Sequence, residues 1–272
     1  KKTLHTLIDR HEVLRTRLSM FDGDVCQMIT KHYELPFKQY DLSTLDEAQR
    51  QRQIQILYKE EANSIFDLTT DIMLRIRLLK LANCDYIVLY TMHHIASDGW
   101  SMAILLREFR TLYRAYSQGG TNPLSSLTIQ YADYAQWQRG WLQGELLKNL
   151  LHYWREQLSG LASVHQLPLD RSRPTKPTFE GKIHQQHITK ELTCEINELC
   201  KKHEVTLFMF LETAFASLLS HYSQVKDIAI GTAVAGRMHR DIEPLIGFFV
   251  NSLVIRTDFS DKVTFSELLK KN

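Results

Sequence analysis

Along the first fifteen residues, Leu4, Leu7, Ile8, His11 and Leu14 recur at three- and four-residue spacing, the period of a helix with one buried face. Two short runs, 17–21 and 25–30, flank Asp22-Gly23, a dipeptide that favours a tight hairpin because both central positions of the turn take positive φ. Asp41-Leu42-Ser43 then precedes a polar segment that reads as a long helix to about Ser64. From 73 to 81, Leu74, Ile76 and Leu78 alternate with Arg75 and Arg77, which predicts a half-exposed strand. After a turn at Ala82–Asp85, residues 86–93 are almost continuously apolar, as expected of a strand covered on both faces. A helix follows from about Trp100 to Tyr116, with Leu105, Phe109, Leu112 and Tyr116 as its buried stripe and Gly119-Gly120 as its stop.

Residues 127–158 read as helical and rich in Trp and Tyr, whereas 160–178 hold Pro168, Pro174 and Pro177 among scattered charge and read as a linker. Beyond it the pattern predicts a strand near 181–188, a helix over 190–203 with Thr189 as N-cap, and a helix over 207–222 with Thr206 as N-cap. The last is apolar almost all round, so it is expected to be deeply buried. A strand at 227–233, a Gly-Arg loop, a turn at Glu243-Pro244 and a strand at 249–257 complete the pattern. The expected division is a first lobe over 1–160, a linker over 161–178 and a second, incomplete lobe over 179–272. There is no internal repeat.

Composition narrows the function classes. The 33 basic and 31 acidic residues give a net charge of +2, against a broad nucleic-acid surface, which shows clustered Lys and Arg. None of Cys26, Cys84, Cys194 and Cys200 forms a CxxC pair, so zinc and redox readings gain little and no metal site is expected. Free thiols suit a reducing, cytoplasmic setting. No apolar run reaches the ~18 residues of a membrane span, and residues 1–17 read as an amphipathic helix, not as a signal peptide. The first residue is not Met and the last residues stop inside a helical pattern, so both ends read as cut.

The segment Met92-His93-His94-Ile95-Ala96-Ser97-Asp98-Gly99-Trp100-Ser101 carries the most chemical information. Two histidines end an apolar strand and an Asp-Gly turn opens a helix. Adjacent strand residues point to opposite faces, so His93 and His94 do not readily share a metal and only one faces a given cavity. Asp98 is placed to cap the helix or hold a cation, and Gly99 removes a side chain where backbone or substrate comes close.

This segment resembles the HHxxxDG motif of nonribosomal peptide synthetase condensation domains, in the chloramphenicol-acetyltransferase-like superfamily. Four other segments agree in the family's order. Residues 10–16, RHEVLRT, resemble RHExLRT; residues 131–137, YADYAQW, resemble YxDYAxW; Ala235-Gly236-Arg237 resembles the Gly-Arg loop; residues 246–252, IGFFVNS, resemble IGxFVNT with Ser252 in place of Thr. The family's first motif, beginning SxAQ, would lie before Lys1, and its last motifs, including RDxSRNPL, after Asn272.

The resemblance implies an α+β fold (an α/β sandwich) of two lobes, mixed sheets covered by helices, set as a V around a tunnel. It implies an enzyme that joins a donor acyl or peptidyl thioester to an acceptor aminoacyl thioester, with no directly bound cofactor. Phosphopantetheine arms of two peptidyl carrier domains would deliver the substrates, next to an adenylation domain. Carried over residue by residue, His94 is the reactive histidine and His93 more structural. Asp98 pairs with an arginine, for which Arg237 is the candidate across the lobe interface, and Gly99 completes the motif. Arg10, Arg15 and Asn251 are supporting residues. An epimerisation domain would show EGHGRE where this chain has Ala233–Met238, AVAGRM, and a heterocyclisation domain would replace the His pair with Asp. An acyltransferase using coenzyme A thioesters and a non-catalytic recruitment domain are the remaining alternatives.

Overall fold

The computed structural model describes residues 1–164, 166–178, 181–260 and 264–271. It packs as two compact units: Lys1–Gln143 with Ala235–Asn251, and Gly144–Val234 with Ser252–Asn272. Residues 144–160, placed with the first lobe by the sequence pattern, therefore pack with the second unit, and the Gly-Arg loop and the FVN stretch return to the first.

In the first unit, helix α1 (Lys2–Arg10) and a short 3-10 turn (Glu12–Arg15) lead into the hairpin β1 (Thr16–Phe21) and β2 (Asp24–Ile29). Asp22 and Gly23 take φ of 49° and 86° there, as the dipeptide predicted. A mixed sheet has the order β3-β4-β5 (Phe37–Asp41, Leu74–Ala82, Asp85–Met92), β3 parallel and β5 antiparallel to β4. Strand β3 was not predicted. Helix α2 (Glu47–Asn63) covers one face of the sheet, its Ile54 and Leu57 packing with Leu42 and Leu79. On the other face, Leu74 and Ile76 pack with Leu4, Leu7 and Ile8 of α1 and with Ile104, Leu105 and Leu112 of α3 (Gly99–Ser117). Each such side chain contributes ~1.5–3 kcal/mol on burial.

That layering corrects the exposure expected of β4 and agrees with a β5 that packs on both faces, while the stretch 127–158 is corrected separately. Strand β4 is central and covered on both faces, so Arg77 is buried and Arg75 half-buried, and both arginines pair with the buried Glu61 of α2. Strand β5 is an edge strand. Its Val88, Tyr90 and Met92 touch one core and Ile87 and Leu89 the other, which explains the apolar run, yet none of its residues is fully buried. The helical stretch 127–158 is two helices, α4 (Tyr131–Trp141) and α5 (Gly144–Gln157), broken where Gly144 takes a φ of 58°.

In the second unit, α6 (Lys190–His203) and α7 (Leu207–Ser223) start where predicted, with the hydroxyls of Thr189 and Thr206 accepting from the amides of Leu192 and Met209. Strands β6 (Asp227–Val234) and β7 (Asn251–Asp258) form a two-stranded sheet, and α8 (Phe265–Lys271) follows. Arg256 of β7 pairs with Asp227 of β6 at 2.7 Å and donates to the carbonyls of Gln157 and Ser159, tying α5 to the sheet. Two expectations fail here. Residues 181–188 have no strand ladder; a segment makes no strand without a partner's backbone. Helix α7 is not buried all round. Thr213 and Ala216 are enclosed, but Phe208, Phe215 and Tyr222 are exposed because the two-stranded sheet, α6 and α8 are too few to cover its whole circumference. Among the described residues no single helix is long and apolar enough to cross a membrane.

Candidate active site

Strand β5 ends at Met92, and the chain then makes a 3-10 turn over His94–Ala96 before α3. His93 accepts at Nδ1 from the Ile95 amide (3.1 Å) and meets Phe66 edge-on, so its ring shapes the turn. His94 points elsewhere, although both histidines lie past the end of β5, so the turn and not strand parity separates them. It is exposed, and its ring sits edge-on to Phe248 with centroids 5.1 Å apart.

Asp98 is the N-cap of α3 and is 6% exposed. Its Oδ1 accepts from the Ser101 amide (2.8 Å) and lies 2.7 Å from the Ser101 hydroxyl and 3.3 Å from Arg237. Its Oδ2 accepts from the Phe249 amide (3.0 Å). Burial pushes the carboxyl pKa upward and is the largest single influence. The donors from Ser101 and Phe249, with the charge of Arg237, outweigh it and hold the group below the usual carboxylate range. The Arg237 side chain is 1% exposed. It also donates to the carbonyls of Ile242 and Leu245 and lies over the Phe249 ring at 4.1 Å. The pairing expected of Arg237 is present, but both partners belong to the first unit, not to opposite lobes.

Gly236 is required by this geometry. Its φ is +66°, and a Cβ there would lie 2.1 Å from the Phe249 carbonyl oxygen. Gly247 is similarly confined, since a Cβ would meet the Tyr131 ring at 2.3 Å. Gly99 is not: among the described residues, beyond its chain neighbours and its own helix, no atom lies within 4 Å of a Cβ built there, so of the backbone or substrate approach expected at that position no backbone comes close.

The remaining predicted residues sit around this centre. Arg10 places Nε 3.1 Å from both carboxylate oxygens of Glu108 on α3 and donates to the Ser125 carbonyl. Arg15 donates to the Thr30 carbonyl and pairs with Glu12, bracing the base of the hairpin and not Asp98. Asn251 is an exposed residue at the start of β7.

Four further residues matter to which the sequence reading gave no part in the site. Ser101 joins Asp98, Arg237 and both backbone groups of Gly247. His11 is 1% exposed. Its Nε2 faces Glu108 at 2.8 Å and its Nδ1 accepts from the Ile246 amide at 3.3 Å. Gln130 binds the backbone of Arg10 and Glu12, and the Tyr131 hydroxyl donates to the Phe248 carbonyl (3.0 Å). The five segments quoted from the sequence thus meet through named bonds, and all of them but Ser252 lie within one unit. A signal existed for Ser101, three residues after an Asp N-cap; nothing in spacing ties His11 to Glu108.

The chemistry open to this arrangement is limited and specific. One imidazole stands exposed just past a strand end, on a turn held by a buried ion pair. The fold is the mixed α+β type of the chloramphenicol-acetyltransferase-like class. The condensation-domain family model matches residues 1–272, and the chain belongs to that family. A linear gramicidin synthase from Brevibacillus parabrevis is 45% identical over 265 residues, 97% of this chain and 5% of that protein. Malpinin synthetase of Mortierella alpina is 40% identical over 271 residues, all of this chain and 4% of that protein. The X-domain from teicoplanin biosynthesis superposes with a TM-score of 0.88 at 27% identity, covering 98% of this chain and 59% of that one. The chain therefore spans about one twentieth of the length of these curated relatives.

Proposed function

We propose that the domain forms an amide bond between a donor acyl or peptidyl thioester and an acceptor aminoacyl thioester, each carried on the phosphopantetheine arm of a carrier domain in a cytoplasmic multidomain synthetase. The observation that supports this reading most is the exposed His94 beside Phe248, on a turn locked by the buried Asp98–Arg237 pair. The acceptor amine, with an ordinary pKa of about 8, attacks the donor thioester carbonyl. The C–N bond forms, the carbonyl electrons move to oxygen, and collapse of the tetrahedral adduct breaks the C–S bond. The amine proton passes by way of His94 to the departing thiolate.

General-base help is worth about 10²–10⁴-fold, whereas orientation reaches effective molarities of ~10⁵–10⁸ M. Because a thioester is already activated, His94 acts at least as much by orienting the amine as by taking its proton. His93, Asp98, Gly99 and Arg237 act through the turn. Arg10 acts through Glu108 and α3, Arg15 through the hairpin base, and Asn251 by opening β7.

The test is His94→Ala in the synthetase that carries this domain. The ring is exposed, so stability stays within ~0.5 kcal/mol, while dipeptide formation falls by about 10²-fold or more. Turnover equal to the wild type rejects the role. A second reading, recruitment of a partner enzyme without bond formation, draws on the likeness to the X-domain, which has also been solved in complex with OxyB. Capture of a tailoring enzyme by a domain that forms no dipeptide would favour it.

A further inference from the structure

A cavity of about 140 Å³ lies beside the His94 turn in the first unit, walled by Val13, Leu18, Met73, Ile95, Ala96 and Phe248. It shares two features with the reacting centre. Ile95 directly follows His94, and the Phe248 ring that lines the cavity is the one His94 packs against. Among the described residues no charged side chain lines it. Two of its three polar residues spend their hydroxyls on backbone: Thr16 donates to the Glu12 carbonyl (2.8 Å) and Tyr131 to the Phe248 carbonyl (3.0 Å). The third, Gln27, is exposed.

We propose that this cavity receives the side chain of the acceptor aminoacyl group and selects for an apolar one of aliphatic or phenyl size. The inference rests on the condensation reading and deepens it. The acceptor's amine and side chain share one carbon, so an amine held at His94 places the side chain beside the Phe248 ring. An apolar cavity of ~150 Å³ holds a benzene-sized group, so this one has room for a side chain of that size. Nothing in the lining offers a counter-charge or a free buried donor to a carboxylate or ammonium side chain.

The experiment uses the synthetase carrying this domain, with acceptor carriers charged directly with leucyl, phenylalanyl, alanyl or aspartyl phosphopantetheine, so that the adenylation step is bypassed, and with a single donor. Leucyl and phenylalanyl acceptors are expected to exceed the aspartyl acceptor at least ~10-fold in kcat/KM, within the range a hydrophobic pocket supplies. Leu18→Trp, which fills the cavity, is expected to lower the phenylalanyl-to-alanyl ratio ~10-fold or more. Acceptors used within threefold of one another by the wild type overturn the proposal even if Leu18→Trp does not fold. A Leu18→Trp variant that slows all acceptors alike overturns it as well. Dipeptide formed without regard to side chain sinks only the cavity assignment; a folded enzyme that forms no dipeptide with any acceptor sinks the condensation reading and this one with it.

Discussion

Replacing Arg237 by alanine removes a cation whose side chain is 1% exposed from a carboxylate partner that is 4% exposed. Taking one member from a buried pair costs roughly 3–5 kcal/mol, because the other is left buried and unpaired. The structure places the cost at the low end of that range. Burial lowers the Arg237 pKa, although Asp98 pulls it upward. Asp98 keeps its strongest donors, the Ser101 hydroxyl and amide and the Phe249 amide, when the guanidinium goes. The carbonyls of Ile242 and Leu245 nevertheless lose their donor. We expect about 3 kcal/mol, which is a little over 10²-fold in a local opening equilibrium. The readout is amide hydrogen exchange at Ser101 and Phe249, both of which donate to Asp98. Arg237→Lys is expected to recover less than half, since an ammonium cannot span Asp98, Ser101 and two carbonyls as the planar fork does. Exchange at both amides within threefold of the wild type, together with lost condensation, would refute the reasoning and move Arg237 from positioning the loop to contacting substrate.

Gly236→Ala forces a left-handed φ and a Cβ into the Phe249 carbonyl, and is expected to cost at least ~2 kcal/mol, read as a shift of the urea midpoint at constant m-value. Gly99→Ala is expected to leave stability unchanged or raise it by up to ~1 kcal/mol, since open space surrounds that position; a stable variant with slowed turnover assigns the space to substrate, and a destabilised one contradicts the geometry. Burial, the largest influence, holds the His11 pKa below its ordinary 6.5, although Glu108 pulls upward. The unfolded chain therefore binds the extra proton as pH falls below 6.5, and stability declines by up to ~1.4 kcal/mol per pH unit until the folded value is passed. His11→Asn keeps an acceptor for Ile246 and removes that slope, so urea midpoints at pH 7.5 and 5.5 that differ equally in variant and wild type would disprove the assignment.

Local chemistry was legible wherever partners are close in sequence. The Asp22-Gly23 hairpin, the Asp98, Thr189 and Thr206 caps and the start of α3 need only neighbouring residues to specify them. Burial was less legible. Arg75 and Arg77 read as solvent-facing because their counter-ion, Glu61, sits in a helix whose own pattern is polar. The exposed side of α7 was missed because an all-round apolar helix signals burial but carries no information on how many elements are present to supply it.

The site shows the same limit at longer range. His94, Asp98 and Ser101 are found in one contiguous segment, yet what holds that segment comes from three others: Glu108 further along α3, His11 at the end of α1, and the stretch from Gly236 to Phe249. The proline-rich segment 160–178 marks a change in composition, and composition alone would assign everything after it to another body. The chain crosses back instead, and residues 235–251 pack with the first unit. The physical reason lies in the bonds themselves. Three backbone amides of that stretch, at Ile246, Gly247 and Phe249, find their acceptors on side chains from the first part of the chain, His11, Ser101 and Asp98. Buried amides left without those acceptors would each cost ~1–3 kcal/mol. The loop is thus held by the residues it positions, and Phe248, between two of the three anchored amides, has its ring fixed against His94 by the same bonds that a linker-based division would have cut.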